Sequence, residues 1–173
     1  MKLDKFETQR LNIEKLQIAD FTFIKELVNT EGWIKFIGDR NVRSDDDAKD
    51  YISKILENSN IHYWVARLKF ELLPIGIVTF IKKDYLPYWD IGFAFLSSYM
   101  GKGLAFEVVS AALKKILVEY NKEPILATTN KHNSSSIRLL KKLGFTYERE
   151  LKNDGKILQV YKISASELSN NNI

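Results

Sequence analysis

Hydrophobic residues recur along this chain with two periods, and the period changes at polar or glycine-containing breaks. Alternating or continuous short apolar runs predict β-strands, whereas apolar residues three and four positions apart predict helices. Strands are predicted at 8–17, 61–68, 73–81, 88–96, 125–129, 145–152 and 156–163. Helices are predicted at 21–29, 44–58, 106–120 and 134–143, with an aromatic turn or short helix at 33–38.

Local signals predict where these elements begin and end. Asp20 is a predicted N-cap of the first helix, and Ser44 begins a near capping box at the second. Gly144 is a predicted helix stop, and the Asn-Asp-Gly sequence at 153–155 is a strong signal for a hairpin turn. The polar, Asn-rich segment 164–173 is predicted to be a frayed, flexible tail.

The order of the predicted elements indicates the fold class. One strand, two helices, three strands, a helix, a strand, a helix and two strands make a mixed α/β sheet. The chain has 173 residues, of which 45% are hydrophobic. That is enough for one packed domain and too short for two of ordinary size, so we expect a single domain over residues 1–163.

The segment 97–105 joins an apolar strand that ends at Leu96 to the helix that begins near Phe106. Its Gly-Lys-Gly sequence at 101–103 allows a tight turn and a close approach of a ligand to the backbone. The first amides of a helix have no intrahelical partner and carry partial positive charge, so such a corner can bind phosphate. The side chain of Lys102 adds a full charge. By itself this short pattern also fits an ordinary strand-to-helix turn.

Three blocks in this order resemble the GNAT family of N-acetyltransferases, most closely the RimJ/RimL-like branch of ribosomal-protein N-terminal acetyltransferases. The blocks are FETQRL at 6–11, DIGF at 90–93 with YMGKGLAFEV at 99–108, and NSSSIRLLKKLGF at 133–145. The resemblance extends over residues 6–163. It implies a GNAT fold with a mixed, mostly antiparallel sheet of about seven strands flanked by about four helices.

The resemblance also implies the reaction. A GNAT enzyme transfers acetyl from acetyl-CoA to a primary amine, either a protein N-terminus or a small-molecule amine, by direct attack in a ternary complex. In that fold the pantetheine arm lies between two splayed strands, here those at 88–96 and 125–129. The residues that the resemblance assigns to acetyl-CoA are Phe95, Leu96, Met100, Gly101, Lys102, Gly103, Leu104, Ala105, Asn133 and Ser136.

Two side chains are the candidates for proton transfer. The tyrosine that many family members use as general acid is replaced by Leu140, so Ser136, three residues after Asn133, is the best available acid. Asp90 aligns with an acidic residue at the start of its strand and is the candidate base, provided that burial raises its pKa. Each has a structural alternative: Ser136 is also a first-turn helix serine, and Asp90 is also a strand-end charge.

The acceptor pocket is expected between the two early helices and the final hairpin. Trp33, Phe36, Ile37, Arg40 and Tyr85 are the residues we assign to it. Aromatic residues between helices are more often part of a core, so that alternative stays open at this point.

Composition limits the other classes of function. The net charge of +4 and pI of about 9.1 are a modest basic bias, which is more typical of an ordinary protein than of one that binds nucleic acid. The resemblance implies some positive charge near the glycine turn, because CoA is a polyanion. The absence of cysteine excludes disulfides, thiolate metal sites and cysteine nucleophiles, and no metal site is expected. No apolar run of about 18 residues is present, and residues 1–5 lack the apolar core of a signal peptide. We therefore expect no membrane span and a cytoplasmic location.

A second class of function is kept open. Because the usual tyrosine is absent, the chain also fits a non-catalytic domain that binds or senses acyl-CoA. Release of free CoA that depends on an added amine separates the two, since only an enzyme shows it. The resemblance also allows a homodimer.

Overall fold

The computed structural model describes residues 3–119 and 123–170. Its strands are β1 (Lys5–Glu7), β2 (Leu11–Lys15), β3 (Ile61–Leu68), β4 (Pro74–Ile81), β5 (Asp90–Phe95), β6 (Ile125–Asn130), β7 (Thr146–Asn153) and β8 (Lys156–Ile163). Its α-helices are α1 (Phe21–Val28), α2 (Glu31–Phe36), α3 (Asp45–Glu57), α4 (Leu104–Glu119), α5 (Ser134–Lys142) and α6 (Ala165–Asn170). Short 3-10 turns lie at Ile18–Asp20 and Ser97–Tyr99.

The eight strands form one sheet in the order β1-β2-β3-β4-β5-β6-β8-β7. The pair β5–β6 is parallel, and the other neighbouring pairs of the described strands are antiparallel. The predicted mixed, mostly antiparallel α/β fold is therefore confirmed. The count is eight strands and six α-helices within the described ranges, against about seven and about four expected.

The extra elements have local causes. The additional strand β1 lies before the predicted strand at 8–17, which is shortened to β2. Thr8 turns the chain between them: its N–H donates to the Leu11 carbonyl at 2.9 Å, and its hydroxyl accepts from the Leu11 N–H at 3.2 Å. The predicted aromatic turn or short helix at 33–38 is the helix α2, which begins two residues earlier, at Glu31. The Thr30 hydroxyl caps that helix by accepting from the Trp33 N–H at 3.4 Å. Side-chain caps of this kind satisfy amides that a short helix otherwise leaves free.

The two predicted N-caps have different outcomes. Ser44 caps α3 in a complete capping box with Asp47, as the sequence indicates. Asp20 precedes α1 but makes no side-chain capping bond, so that prediction is wrong. Its buried carboxylate instead accepts from the Gln17 N–H at 2.9 Å and pairs with Arg67 on β3. The tertiary ion pair takes the carboxylate away from the helix end.

Helices cover both faces of the sheet. Helices α4 and α5 pack on one face, where the buried residues include Trp64, Val78, Ile91, Val109 and Leu113. Helices α1, α2 and α3 pack on the other face, where they include Ile24, Trp33, Ile52, Val65 and Ile77. Each large side chain buried in this way contributes about 1.5–3 kcal/mol, so both layers hold β3, β4 and β5 rigidly.

The end of the chain differs from the frayed tail that its composition predicts. Residues Ala165–Asn170 form α6, and Ser164 caps it: the Ser164 N–H donates to Glu167 Oε2 at 2.7 Å, and the Ser164 hydroxyl accepts from the Glu167 N–H at 3.4 Å. The last part of the predicted tail, 171–173, lies outside the described residues. In the described ranges, no helix is long and apolar enough to cross a membrane.

Candidate active site

A gap opens between the two parallel strands β5 and β6. In the described part of the chain these strands pair at one position, Asp90 with Leu126, where the Leu126 N–H donates to the Trp89 carbonyl at 2.9 Å. Beyond this point β5 pairs with β4 as far as Phe95, and β6 pairs with β8 as far as Asn130. The two strands therefore part like a V with its closed end at Asp90.

The edges of the gap present backbone groups. The Leu96 N–H donates to the Ile75 carbonyl at 2.9 Å, so Leu96 faces β4. Because hydrogen-bonding direction alternates along an antiparallel strand, the N–H and C=O of Phe93 and Phe95 face the gap. Such an edge can pair with an extended ligand much as it would with another strand.

Leu96 is already bonded within the protein. Its N–H is used by Ile75, and its carbonyl accepts from the Tyr99 N–H at 2.9 Å. Of the two adjacent residues that the sequence assigns to acetyl-CoA, the structure turns the backbone of Phe95, rather than that of Leu96, towards the gap.

The ring of Phe95 packs against Gly76 on the neighbouring strand β4. A Cβ at Gly76 would lie 2.2 Å from the Phe95 ring, a distance that atoms do not tolerate. Gly76 thus leaves the space in which the ring packs, and the end of β5 is held in register with β4.

The predicted glycine turn follows directly and is open. Gly101 and Gly103 both have φ of +75°, a conformation that favours glycine. No described atom lies within 4 Å of the position a Cβ would take at Gly101. Met100 is 56% exposed, whereas Leu104 is buried and anchors the first turn of α4 in the core. The turn and the helix N-terminus form a cradle that fits a diphosphate.

Arg10, which the sequence analysis does not single out, contacts this turn. Its Nη1 donates to the Lys102 carbonyl at 3.1 Å, and its Nε donates to Glu107 Oε2 at 2.7 Å. Its backbone N–H also donates to Glu107 Oε1, at 2.8 Å. Burial acts to raise the pKa of Glu107, but hydrogen bonds from Thr8 and Arg10 outweigh it and lower that pKa.

The start of α5 carries the second sequence motif. Asn133 caps this helix, because its Oδ1 accepts from the Ser136 N–H at 3.2 Å. Both side chains are half-buried. Leu140, at the position of the usual tyrosine, is buried in the core between α5 and the sheet. Asn133, which the resemblance assigns to acetyl-CoA, is thus the cap of α5, and Ser136 lies in the first turn beside it.

Asp90 lies in a buried polar cluster at the closed end of the gap. Its Oδ1 is 3.2 Å from Lys83 Nζ, and its Oδ2 accepts from the Thr128 hydroxyl at 2.7 Å. Lys83 Nζ in turn donates to that hydroxyl at 2.9 Å. Burial raises the pKa of Asp90, although Lys83 and Thr128 both act in the opposite direction.

The alternation of β5 shows which face this carboxylate occupies. Ala94 packs with the core under α1 to α3, and Asp90 is four residues earlier on the same strand. Residues two and four positions apart lie on the same face of a strand. Asp90 is therefore on the face of the sheet that α1 to α3 cover, and α4 packs on the other face. Among the described side chains, no group of three or more His, Cys, Asp or Glu residues is placed to hold a metal ion.

The expected acceptor region brings early and late segments together. A Cβ at Gly38, just after α2, would lie 3.7 Å from Lys156 Nζ in the final hairpin. Trp33 is buried and belongs to the cluster that contacts Ala94 and Leu96. Phe36 is half-buried, and the other predicted members are exposed: Ile37, Arg40 and Tyr85.

Two observations in this region were not predictable from the sequence. The indole N–H of Trp33 is buried and has no hydrogen-bond partner among residues 3–119 and 123–170. An unpaired buried donor costs about 1–3 kcal/mol of stability. Tyr63 lies below α3, where burial and contact with Tyr51 raise its pKa well above the ordinary value.

Comparisons with known proteins agree with this geometry. The chain matches the acetyltransferase (GNAT) domain family over residues 10–146. It is 30% identical over 141 residues to the uncharacterized N-acetyltransferase YnaD of Bacillus subtilis (strain 168), and the match covers 82% of each chain.

Two solved structures share the fold. The ribosomal-protein-S5-alanine acetyltransferase of Vibrio fischeri has a TM-score of 0.76 and 20% identity, over 92% of this chain and 96% of that one. The spermidine N-acetyltransferase of Vibrio cholerae, solved with CoA and spermine, has a TM-score of 0.78 and 19% identity, over 92% and 98%. Since the family match spans most of the sequence and includes both the glycine turn and α5, the chain belongs to the GNAT acetyltransferase family.

Proposed function

We propose that this protein is an acetyl-CoA-dependent N-acetyltransferase that acetylates a primary amine. The observation that carries the proposal is the gap between β5 and β6, which continues into the open glycine turn at the start of α4. A strand edge followed by a phosphate-binding corner fits a ligand with an amide-containing arm and a diphosphate. The residues present therefore fit acetyl-CoA.

Bound acetyl-CoA supplies an activated thioester, which the amine attacks directly with loss of the thiol. The backbone N–H of Phe95 faces the gap and is the donor we assign to the thioester oxygen. A fixed donor aimed at a developing negative charge is worth on the order of 3 kcal/mol in the transition state. The buried ring of Phe95, packed on Gly76, keeps that N–H in place.

Two side chains handle protons. We assign Ser136, in the first turn of α5, to protonation of the departing thiolate. We assign Asp90, whose pKa is raised by burial, to removal of the proton from the attacking amine, directly or through water. A carboxylate with a raised pKa is a stronger base than an exposed one and suits this role near neutral pH.

Ser136→Ala is expected to lower kcat roughly 10- to 100-fold, the low end for a general acid because a hydroxyl is a weak one. The Kd for acetyl-CoA should change little, since the helix cap uses the Ser136 backbone. Steady-state kinetics and calorimetric titration measure the two quantities. Ser135→Ala is the matched control, an exposed neighbour on the same helix. Full activity of Ser136→Ala removes Ser136 from catalysis.

For the acceptor we propose a peptide N-terminus, in line with the RimJ/RimL-like motif of this chain. Arg40 and Lys156 lie at the proposed acceptor region and place positive charge there. Like charges repel a polycation such as spermine, whereas a peptide carries one amine and a polar backbone.

The function is tested in two steps. In a thermal melt, acetyl-CoA at about 100 times its Kd should add roughly 2.7 kcal/mol of stability. For a domain of this size that corresponds to a shift of about 5–10 °C. Release of free CoA is then measured with a panel of N-terminal peptides, polyamines and aminoglycosides. A melting shift without amine-dependent release indicates the acyl-CoA-binding alternative, which the leucine at position 140 permits. Absence of a shift contradicts both.

A further inference from the structure

The turn between β1 and β2 is joined to the glycine turn by a single side chain. Arg10 lies 97 residues before Glu107 and 92 before Lys102, yet it bonds to both. Its Nη2 lies 3.6 Å from the position a Cβ would take at Gly103. The guanidinium therefore packs directly against the residue that closes the proposed diphosphate cradle.

Peptide geometry gives this contact a consequence for the cradle. In a trans peptide the C=O of one residue and the N–H of the next point in opposite directions. Nη1 of Arg10 holds the Lys102 carbonyl at 3.1 Å, so the N–H of Gly103 is turned to the side away from Arg10. A flexible glycine peptide could otherwise rotate, and its carbonyl oxygen would then repel a phosphate.

Glu107 fixes the direction of the guanidinium. It accepts from the backbone N–H and from Nε of Arg10, at 2.8 and 2.7 Å, and its side chain is only 17% exposed. A planar guanidinium held by its Nε leaves Nη1 with one direction to donate. The pair also neutralises the carboxylate, which would otherwise oppose an anion at the N-terminus of α4.

We infer that Arg10 is a positioning residue for acetyl-CoA: it holds the Lys102 carbonyl so that the Gly103 amide is presented to the diphosphate. The inference rests on the proposed function and assigns a role in it to a residue of the first hairpin. The backbone of Arg10 does not depend on its side chain, because its carbonyl accepts from the Lys69 N–H at 3.0 Å. Truncation of the side chain should leave β1 and β2 in place.

Arg10→Met tests the inference with two acetyl donors, acetyl-CoA and S-acetylpantetheine, which lacks the diphosphate. The Kd for CoA, measured by calorimetry, should rise about tenfold or more, as expected for loss of charge-assisted bonds. The kcat at saturating acetyl-CoA and the kcat/KM for S-acetylpantetheine should stay within about twofold of the wild type. Arg10→Lys keeps a charged donor but not the planar guanidinium, so its Kd for CoA should lie between those of the wild type and Arg10→Met.

Arg149→Met is the matched control, because Arg149 pairs with Glu148 on β7 and contributes nothing to the glycine turn. Equal loss with both donors shows that Arg10 only supports the fold and overturns the inference, as does a wild-type Kd for CoA in Arg10→Met. If Arg10→Met does not fold, Glu107→Met removes both acceptor oxygens that hold Arg10 and should show the same donor selectivity. Failure of the wild type to bind CoA would instead contradict the proposed function itself.

Discussion

Gly103→Glu is expected to abolish measurable binding of acetyl-CoA. The φ of +75° at this position disfavours any side chain, and a residue other than glycine there costs on the order of 1 kcal/mol. The larger effect is electrostatic. A Cβ at Gly103 would lie 3.6 Å from Arg10 Nη2, so the new carboxylate would draw the guanidinium away from the Lys102 carbonyl and would add a negative charge at the N-terminus of α4, beside the proposed diphosphate site. Calorimetric titration with CoA measures the loss, and the thermal shift caused by acetyl-CoA should disappear with it.

Two further variants separate strain from charge. Gly103→Ala keeps the strain without the charge, and its Kd for CoA should rise by about tenfold, a cost of about 1.4 kcal/mol. Gly155 in the β7–β8 hairpin has a φ of +73° and no described atom within 4 Å of its Cβ position. Gly155→Ala should therefore lose similar stability and keep the wild-type affinity. An unchanged affinity in Gly103→Glu would mean that the glycine turn does not bind the diphosphate.

The parts of the fold that the sequence predicts well are those with long, uninterrupted patterns. The strand at 61–68 is β3 with the predicted bounds, and the hairpin at 153–155 joins β7 and β8 as expected. Strand β1 before residue 8 and the late start of β2 at Leu11 were missed, because the turn between these strands depends on one threonine hydroxyl. The cap assigned to Asp20 was wrong because Arg67, 47 residues away, pairs with its carboxylate.

In the candidate site, too, contiguous motifs were predicted from the sequence and residues placed by tertiary contacts were not. The glycine turn at 101–103 and the Asn133 cap are each contiguous in sequence, so the order of the amino acids alone displays their patterns. Arg10 and Lys83 were missed because they reach the site through the order of strands: Arg10 from the first hairpin, Lys83 from the loop before β5. Sequence spacing carries no signal for contacts of this kind, which tertiary packing alone creates.

Asp90 has a structural role between β5 and β6 in addition to its proposed role as the general base. Its carboxylate, Lys83 and the Thr128 hydroxyl connect β5 to β6 where the strands are still paired. The carboxylate is buried among these contacts, and this burial raises the pKa of Asp90. A base at the closed end, on the face of α1 to α3, would receive a proton from an amine that enters on that face. The structural and chemical roles therefore need separate tests.

Asp90→Asn is expected to lower kcat/KM roughly 100-fold at neutral pH, the usual contribution of a general base. In the wild type, kcat/KM should fall as the pH drops through the raised pKa of Asp90, and in Asp90→Asn this acidic limb should be absent. The folded pKa is raised, so the stabilisation from Asp90 is present below its ordinary pKa and is lost as the pH rises through the folded value. The stability of Asp90→Asn relative to the wild type should therefore improve as the pH rises from acidic to neutral.

Thr128→Val provides the control, because it removes a hydrogen bond to Asp90 and keeps the carboxylate. That bond favours the charged form and lowers the pKa of Asp90, so its loss should move the acidic limb to higher pH without removing it. If Thr128→Val only weakens the contact between β5 and β6, it should lower the stability and leave the acidic limb of the kcat/KM profile at the wild-type pH. If Asp90→Asn keeps the wild-type pH profile, Asp90 holds the closed end of the gap and another group takes the proton from the amine.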